Sequence, residues 1–522
     1  MHLRSAFRAS VALATLVTLH SFAADNPPAK TDSDPITMTE AIHLALKNNL
    51  DIQSSNLDVV ISDAQHRGAF GDFDPKFDLL AEYLNTRTPQ NAAQYVATSR
   101  VAGLQRVYTE NDYQFHVSLQ GKTSLGTQYS LTFQDDQLIN TLNQDPNYSL
   151  FSPEYQSFLG LQVRQPLLKD FGPDATLAGI RITQKSKEIS ELTWRGKVID
   201  TIAGVMTTYY KMLFAVENVR LKEQSVEGDQ KLLDQNRRRL QLGFMSPIDV
   251  RQAEVAVSSD QGDLLEAQDY FKQQQFALKQ QLFSDMSQDN GRDFDPVTGL
   301  HEMPLPDRTR DELLHNAFQY RYDYQAALKG VERESLRIRY AKNQLYPNVD
   351  LIGSYGVNGL RAGYDTSILK ALQNETPAIV GGIEVAFPIG NRQAKATYDQ
   401  VVAQKAQALV KLKQAEMKVV YDVDAALSHI ETTRQRVIAA QTSTRAAEEA
   451  LKIANGELEQ GLLSSFDVID QKKKLDDARV RELSAVADMN VSLVQLWVAT
   501  GTLLDEQNVQ IGTSTPEKKQ KR

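Results

Sequence analysis

The 522-residue sequence predicts an α+β chain in which one plan, paired strands followed by a long helical hairpin, is written twice. Three observations predict it. LQLGFMSPIDV (240–250) and LEQGLLSSFDV (458–468) carry Leu, Gly, Ser, Asp and Val at the same five places, 218 positions apart. EAIHLALKNNLDIQ (40–53) aligns with ELLHNAFQYRYDYQ (312–325) at an offset of 272, sharing Glu40/Glu312, His43/His315, Ala45/Ala317, Asp51/Asp323 and Gln53/Gln325. Finally, Ala, Gln, Lys, Glu, Leu and Val dominate two proline-free stretches, about 175–242 and 392–460.

Those stretches read as helices. At ~1.5 Å per residue each spans ~100 Å, a length at which apolar residues spaced by 3.5–3.6 pack as coiled coils. Each ends in the duplicated motif. Gly243 and Gly461 stand where a helix stops in the left-handed conformation. Ser246 and Ser464 are followed three residues later by Asp249 and Asp467, the spacing of a capping box, and Pro247 suits a first helical position. Each motif therefore spells stop, turn and restart, the tip of an antiparallel hairpin.

Four extended segments precede the helices: KFDLLAEYL (76–84), FLGLQVRQP (158–166), NVDLIGSYG (348–356) and VGGIEVAFP (380–388). They are rich in β-branched and aromatic residues and bounded by Pro or Gly. The alignment offset falls from 272 to 222 between them, so the first copy holds about 50 extra residues. Among these, 111–136 alternates like a hairpin around Gly121–Gly126. This pattern fits a soluble sheet and a transmembrane barrel equally.

Composition excludes several functions. Without cysteine there are no disulfides, thiolate metal sites or cysteine nucleophiles. The net charge of −9 and the lack of a basic patch argue against nucleic acid. Eight scattered histidines form no metal motif, and His43 and His315 read as structural residues. Arg4 and Arg8, an apolar run at 11–19 and Ser21-Phe22-Ala23 predict an export leader over 1–23. No later stretch reaches the ~18 apolar residues of a membrane helix, so membrane entry requires a barrel. The plan divides the chain into a first repeat (24–300, tip 243–246), a second repeat (301–505, tip 461–464) and a polar, disordered tail (506–522).

These motifs together resemble the TolC-type outer-membrane efflux and secretion channel family over about 36–503. The resemblance rests on ITMTEAIHLALKNNLDIQ (36–53), QPLLKDFGP (165–173), the two GxxSxxDV tips and LVQLWVATGTLL (493–504). It implies a homotrimer: a shared β-barrel in outer-membrane lipid, continued by an α-helical tube through the periplasm. The tips would close the tube and dock a periplasmic adaptor protein and an inner-membrane pump of the proton-driven (RND) or ATP-driven (ABC) type. No cofactor, metal or enzymatic role is implied. The family's usual barrel takes four strands per chain, and sequence leaves open whether the extra hairpin adds two more. The competing readings are a periplasmic coiled-coil adaptor or scaffold, and a secreted enzyme.

For a conduit the candidate residues are electrostatic and adhesive. Asp467 and Asp470 lie one turn apart on one helix face, and three copies would ring the mouth with carboxylates that select cations. Helix capping competes for Asp467 and Asp249; Asp470 is free of that duty. Gly243, Phe244, Met245 and Ser246, with Gly461, Leu462, Leu463 and Ser464, are expected to meet the adaptor. Some relatives tie their tips shut with Tyr and Arg where this chain has Leu458 and Leu463, so packing of Leu458, Leu462 and Leu463 is expected to do that work. KKK at 472–474 reads as a solvated helix face. Tyr129, Phe133, Tyr148 and Tyr155 are candidates for an aromatic girdle.

Overall fold

The computed structural model describes residues 33–99, 106–144, 149–285 and 293–511. The expected leader, Tyr148 and residues 512–522 of the expected tail lie outside the described residues. The chain begins with β1 (Ser33–Ile36), α1 (Met38–Asn48) and α2 (Leu50–Gly68). After a 3-10 turn come β2 (Lys76–Pro89), α3 (Ala92–Ser99), β3 (Val107–Lys122), β4 (Gln128–Leu138) and β5 (Glu154–Pro166). One turn, α4 (Pro173–Thr176), leads into the first hairpin, α5 (Ala178–Gln241) and α6 (Pro247–Leu282). Then β6 (Asp293–Pro296) pairs parallel with β1. The second copy holds α7 (Arg310–Tyr320), α8 (Tyr322–Asn343), β7 (Asn348–Arg361), α9 (Tyr364–Leu372) and β8 (Pro377–Ala386). Its hairpin is α10 (Arg392–Glu459) and α11 (Ser465–Thr500), closed by α12 (Leu503–Glu506).

The repeated residues repeat because they do the same jobs. Thr37 and Glu40 form a capping box opening α1, as Thr309 and Glu312 do for α7. Ala45 and Ala317 are buried against the long helices. Gln53 donates to the Lys47 and Asn48 carbonyls ending α1, and Gln325 to the Phe318 carbonyl of α7. His43 and His315 face solvent.

Each short helix stacks on the returning arm of its hairpin. Asn49 caps α2 through the Asp51 and Ile52 amides, while its side-chain amide donates to the Gln281 carbonyl of α6. Asn48 donates to the next carbonyl, Leu282. At the position equivalent to Asn49, Arg321 is buried, paired with Asp323 and Asp422, and donates to the Ala499 carbonyl ending α11. A cation there also complements the negative end of the helix dipole. The layer thus has four rows: α6 with α2, α5, α11 with α8, and α10.

The cores lie on one side of this layer. Ala41, Ile42 and Ala45 pack on Val198, Ile202, Met206 and Tyr209, and Leu313 and Ala317 pack on Val419, Val423, Leu493 and Leu496. Val509 and Ile511 join the first cluster, so the start of the expected tail is packed rather than loose.

The extra hairpin belongs to the sheet. The six strands run β2-β3-β4-β5-β7-β8, antiparallel throughout. β3 and β4 sit between β2 and β5, joined by the 123–127 turn.

Candidate functional site

Both tips have the same backbone geometry. Gly243 and Gly461 adopt φ of 77° and 74°. The Phe244 and Leu462 amides reach back to the Arg239 and Glu457 carbonyls, and the glycine amides to Leu240 and Leu458. This is the Schellman closure of a helix end. Ser246 and Ser464 then restart the chain through capping boxes with Asp249 and Asp467.

Capping occupies Asp467. Its carboxylate accepts from the Ser464 hydroxyl at 2.6 Å and amide at 3.1 Å, which hold its pKa below the usual carboxylate value. Asp249 accepts the Ser246 amide at 3.2 Å. Asp470 is partly exposed and ion-paired at 2.7 Å with Lys474 on its own helix. Neither member of the expected ring is uncommitted.

Leu462 is 70% exposed, so within one chain it packs against nothing that could hold a tip shut. Leu458 and Leu463 are half-buried. Phe244, at the place equivalent to Leu462, is 81% exposed, and Leu242, Ile248 and Phe466 also face out. Met245 is half-buried, while Gly243, Ser246, Gly461 and Ser464 are exposed.

Sequence reading missed the contact between hairpins. Lys472 is not part of a solvated face. It shares a face with buried Val468 and Leu475, pairs with Asp229, lies 3.9 Å from Asp260 and donates to the Ser225 carbonyl. Gly228 leaves room for it: a Cβ there would meet the Lys472 Nζ at 3.2 Å. Ser225 donates to Asp476, and Asn236 to Ser465 at 2.7 Å. Burial pushes Asp229 up to about 6 despite the lysine, and raises Asp476. Lys473 and Lys474 are exposed, as expected.

The sheet is two-faced. Register places Phe77, Leu79, Val117, Leu119, Leu131, Phe133, Leu159, Leu161, Leu351, Tyr355, Ile379 and Ile383 on one side. Many of these face out, uncovered by the chain. The opposite side carries His116, Gln134, Asp136, Gln162 and Arg164, the last held by Asp350 and Glu384 at 2.7 Å each. Such apolar-out, polar-in alternation is the pattern of a transmembrane barrel. Tyr83, Tyr113 and Tyr155 stand in one row at the end far from the helices. Of the expected girdle, Tyr155 is in this row, Tyr129 sits near the helices and Phe133 lies mid-face. Ten residues separate Leu351 from Arg361, which is in the tyrosine row. That is ~33 Å along the strand, or ~25 Å across a membrane at a tilt of about 40°.

Both flanks of the helix layer are open. On α6, Ile248, Val255 and Phe276 recur at multiples of seven on the side away from α5. On α10, Val410, Met417 and Ile438 do the same, and Tyr421 is exposed beside them. The intervening heptad positions are Gly262 and Asp269 on α6 and Asp424 and Glu431 on α10, so each flank is a mixed stripe with apolar residues toward both ends, left uncovered by the chain.

The sequence model of the outer membrane efflux protein family matches residues 41–282 and 313–502. The cobalt-zinc-cadmium resistance protein CzcC of Cupriavidus metallidurans is 25% identical over 323 residues, 59% of this chain and 69% of that protein. Among solved structures, the Campylobacter jejuni CmeC outer membrane channel superposes with a TM-score of 0.66 at 17% identity, covering 91% of this chain and 90% of that one. The open Neisseria gonorrhoeae MtrE outer membrane channel gives 0.59 at 17%, covering 91% of each.

Proposed function

The chain belongs to the outer membrane efflux protein family, a family of channels rather than enzymes, and we propose that three copies close into one conduit running from the periplasm through the outer membrane. The observation that carries this reading is the pairing of an uncovered apolar sheet face with two open helix flanks. Six strands ~4.8 Å apart, tilted about 40°, span ~38 Å of arc. Four helix rows at ~9–10 Å span nearly the same arc. Sheet and helix edges can therefore meet those of the next copy together. β2 and β8 run oppositely, so the join between copies stays antiparallel. Three copies give eighteen strands, three times six, over twelve helix rows.

The tips then lie at one level around the inner mouth, with Phe244 and Leu462 offered to a periplasmic adaptor that connects an RND- or ABC-type pump. Asp467 and Asp470 face that mouth. Divalent metal ions are the first cargo to test, given the resistance named in CzcC. Native mass spectrometry of the detergent-solubilised protein tests the assembly: a mass of three chains supports it, and a monomer or dimer overturns it. The adaptor-or-scaffold reading leaves the apolar sheet face unexplained.

A further inference from the structure

α9 does not project from the far end of the sheet but lies flat on its apolar side. Ser367 and Ala371 face the strands and are buried. The Ser367 hydroxyl is 2.5 Å from the Ser157 hydroxyl and donates to Asp135 at 3.3 Å, and Ser157 also donates to Asp135. Asp135, Ser157 and Gly359 stand in register across β4, β5 and β7, in the row next to the tyrosines. Gly359 is required there, because a Cβ would drive into the Ser367 carbonyl oxygen. A buried polar group is tolerated when hydrogen-bonded, and this trio satisfies itself beneath the helix.

The outward side of α9 is different. Leu369 and Leu372 are 59% and 60% exposed, and Tyr364 beside them is exposed next to Tyr83, Tyr113 and Tyr155. The one lysine, Lys370, is ion-paired with Glu375. Below this level the same side of the sheet continues as Phe133, Leu159 and Val357. A short helix whose outer face carries Leu369 and Leu372 beyond a polar first turn of exposed Asp365 and Thr366, pinned at the aromatic boundary of an apolar band, has the build of an interfacial helix: leucines toward the lipid chains, polar turn at headgroup level.

We infer that α9 is an outer-leaflet anchor: Leu369 and Leu372 insert among lipid chains just below the headgroups, on the outside of the barrel. This rests on the barrel reading and adds a lipid contact made by a loop helix rather than by a strand. It also sets a depth stop, because the tyrosine row and the inserted leucines hold the far rim at one level.

The cysteine-free chain allows a direct test. Leu372→Cys and, separately, Ile383→Cys are labelled with an environment-sensitive dye in the full protein and reconstituted into phosphatidylcholine vesicles carrying shallow or deep nitroxide lipids. The Leu372 label should be quenched about twofold more by shallow than by deep nitroxides, as insertion to ~5–10 Å requires; the Ile383 label, paired with Leu351 at the opposite edge of the apolar band, should be quenched by lipid nitroxides and shielded from iodide. A Leu372 label quenched by aqueous iodide and by neither lipid overturns the anchor while an Ile383 label quenched by lipid keeps the barrel. A Leu372 label shielded from both iodide and lipid overturns it too, placing protein over α9. If neither label meets lipid, the barrel fails and the anchor with it.

Discussion

Lys472 on α11 is ion-paired with Asp229 on α5, two residues 243 positions apart in the chain. The pair joins the two hairpins part-way to the tips, with Asp260 and Asp476 close by. Breaking a buried pair from one side costs about 3–5 kcal/mol, because it strands the other charge. Lys472→Ala should therefore lower the thermal midpoint clearly, while Lys473→Ala, one residue along on the exposed face, should stay within about 0.5 kcal/mol. Equal effects would contradict the contact.

The same site predicts a pH dependence. The folded pKa of Asp229 is raised to about 6 by burial, above its unfolded value. The native state then binds more protons than the unfolded state between about pH 4 and 6, so this group's contribution to stability falls as pH rises through that window. Asp476 is raised also and acts in the same direction, whereas Lys222 titrates far above it. Measured as the difference between wild type and Asp229→Asn, stability should decline from pH 4 to pH 7 by roughly 1–3 kcal/mol. A flat difference would remove Asp229 from the account.

Asn49 and Arg321 serve equivalent helix junctions with different chemistry. Asn49→Ala removes a cap and should cost about 1 kcal/mol. Arg321→Ala removes the buried cation shared by Asp422 and Asp323, leaving Lys418 at 3.9 Å from Asp323 and orphaning the Ala499 carbonyl, and should cost more than Asn49→Ala. Thermal unfolding of the two variants checks the order.

Exposed Phe244 and Leu462 predict a loss of function without a loss of stability. Phe244→Asp with Leu462→Asp should leave the thermal midpoint within about 0.5 kcal/mol of wild type. Pull-down of the periplasmic adaptor proposed to dock at the tips should fail for this variant. Retained binding would assign the tip apolar groups to packing between copies.

Asp470 and Lys474 are ion-paired at 2.7 Å on α11 near the second tip, which the proposed conduit puts at its inner mouth. Asp470→Asn should weaken cation selectivity, and Lys474→Ala should strengthen it. Reversal potentials in asymmetric salt measure both; no change in either places the pair outside the ion path.

Local signals made much of this legible. The tip glycines, capping boxes and proline-free runs state their geometry within a few residues, so both hairpins could be read, and Pro- or Gly-bounded segments marked four of the six sheet strands, β2, β5, β7 and β8. Partners far apart in sequence could not. Nothing near Lys472 announces Asp229, and three consecutive lysines look solvated until the packing of Val468 and Leu475 fixes which one turns inward. Likewise the 111–136 hairpin was visible, but its insertion between β2 and β5 depends on pairing that only register shows. The apolar side of the sheet was blurred by Leu80, Phe158 and Ile352 on the opposite side, which break the period-two pattern. Lys474 stands four residues beyond Asp470, a spacing at which the ion pair was open to view.

The central claim is that copies of this chain close into a membrane conduit. The most direct measurement is single-channel recording of the purified protein in a planar bilayer. The account predicts stable, cation-selective pores. Absence of pores, persisting when Leu458, Leu462 and Leu463 are replaced by polar residues to loosen the tips, would contradict it.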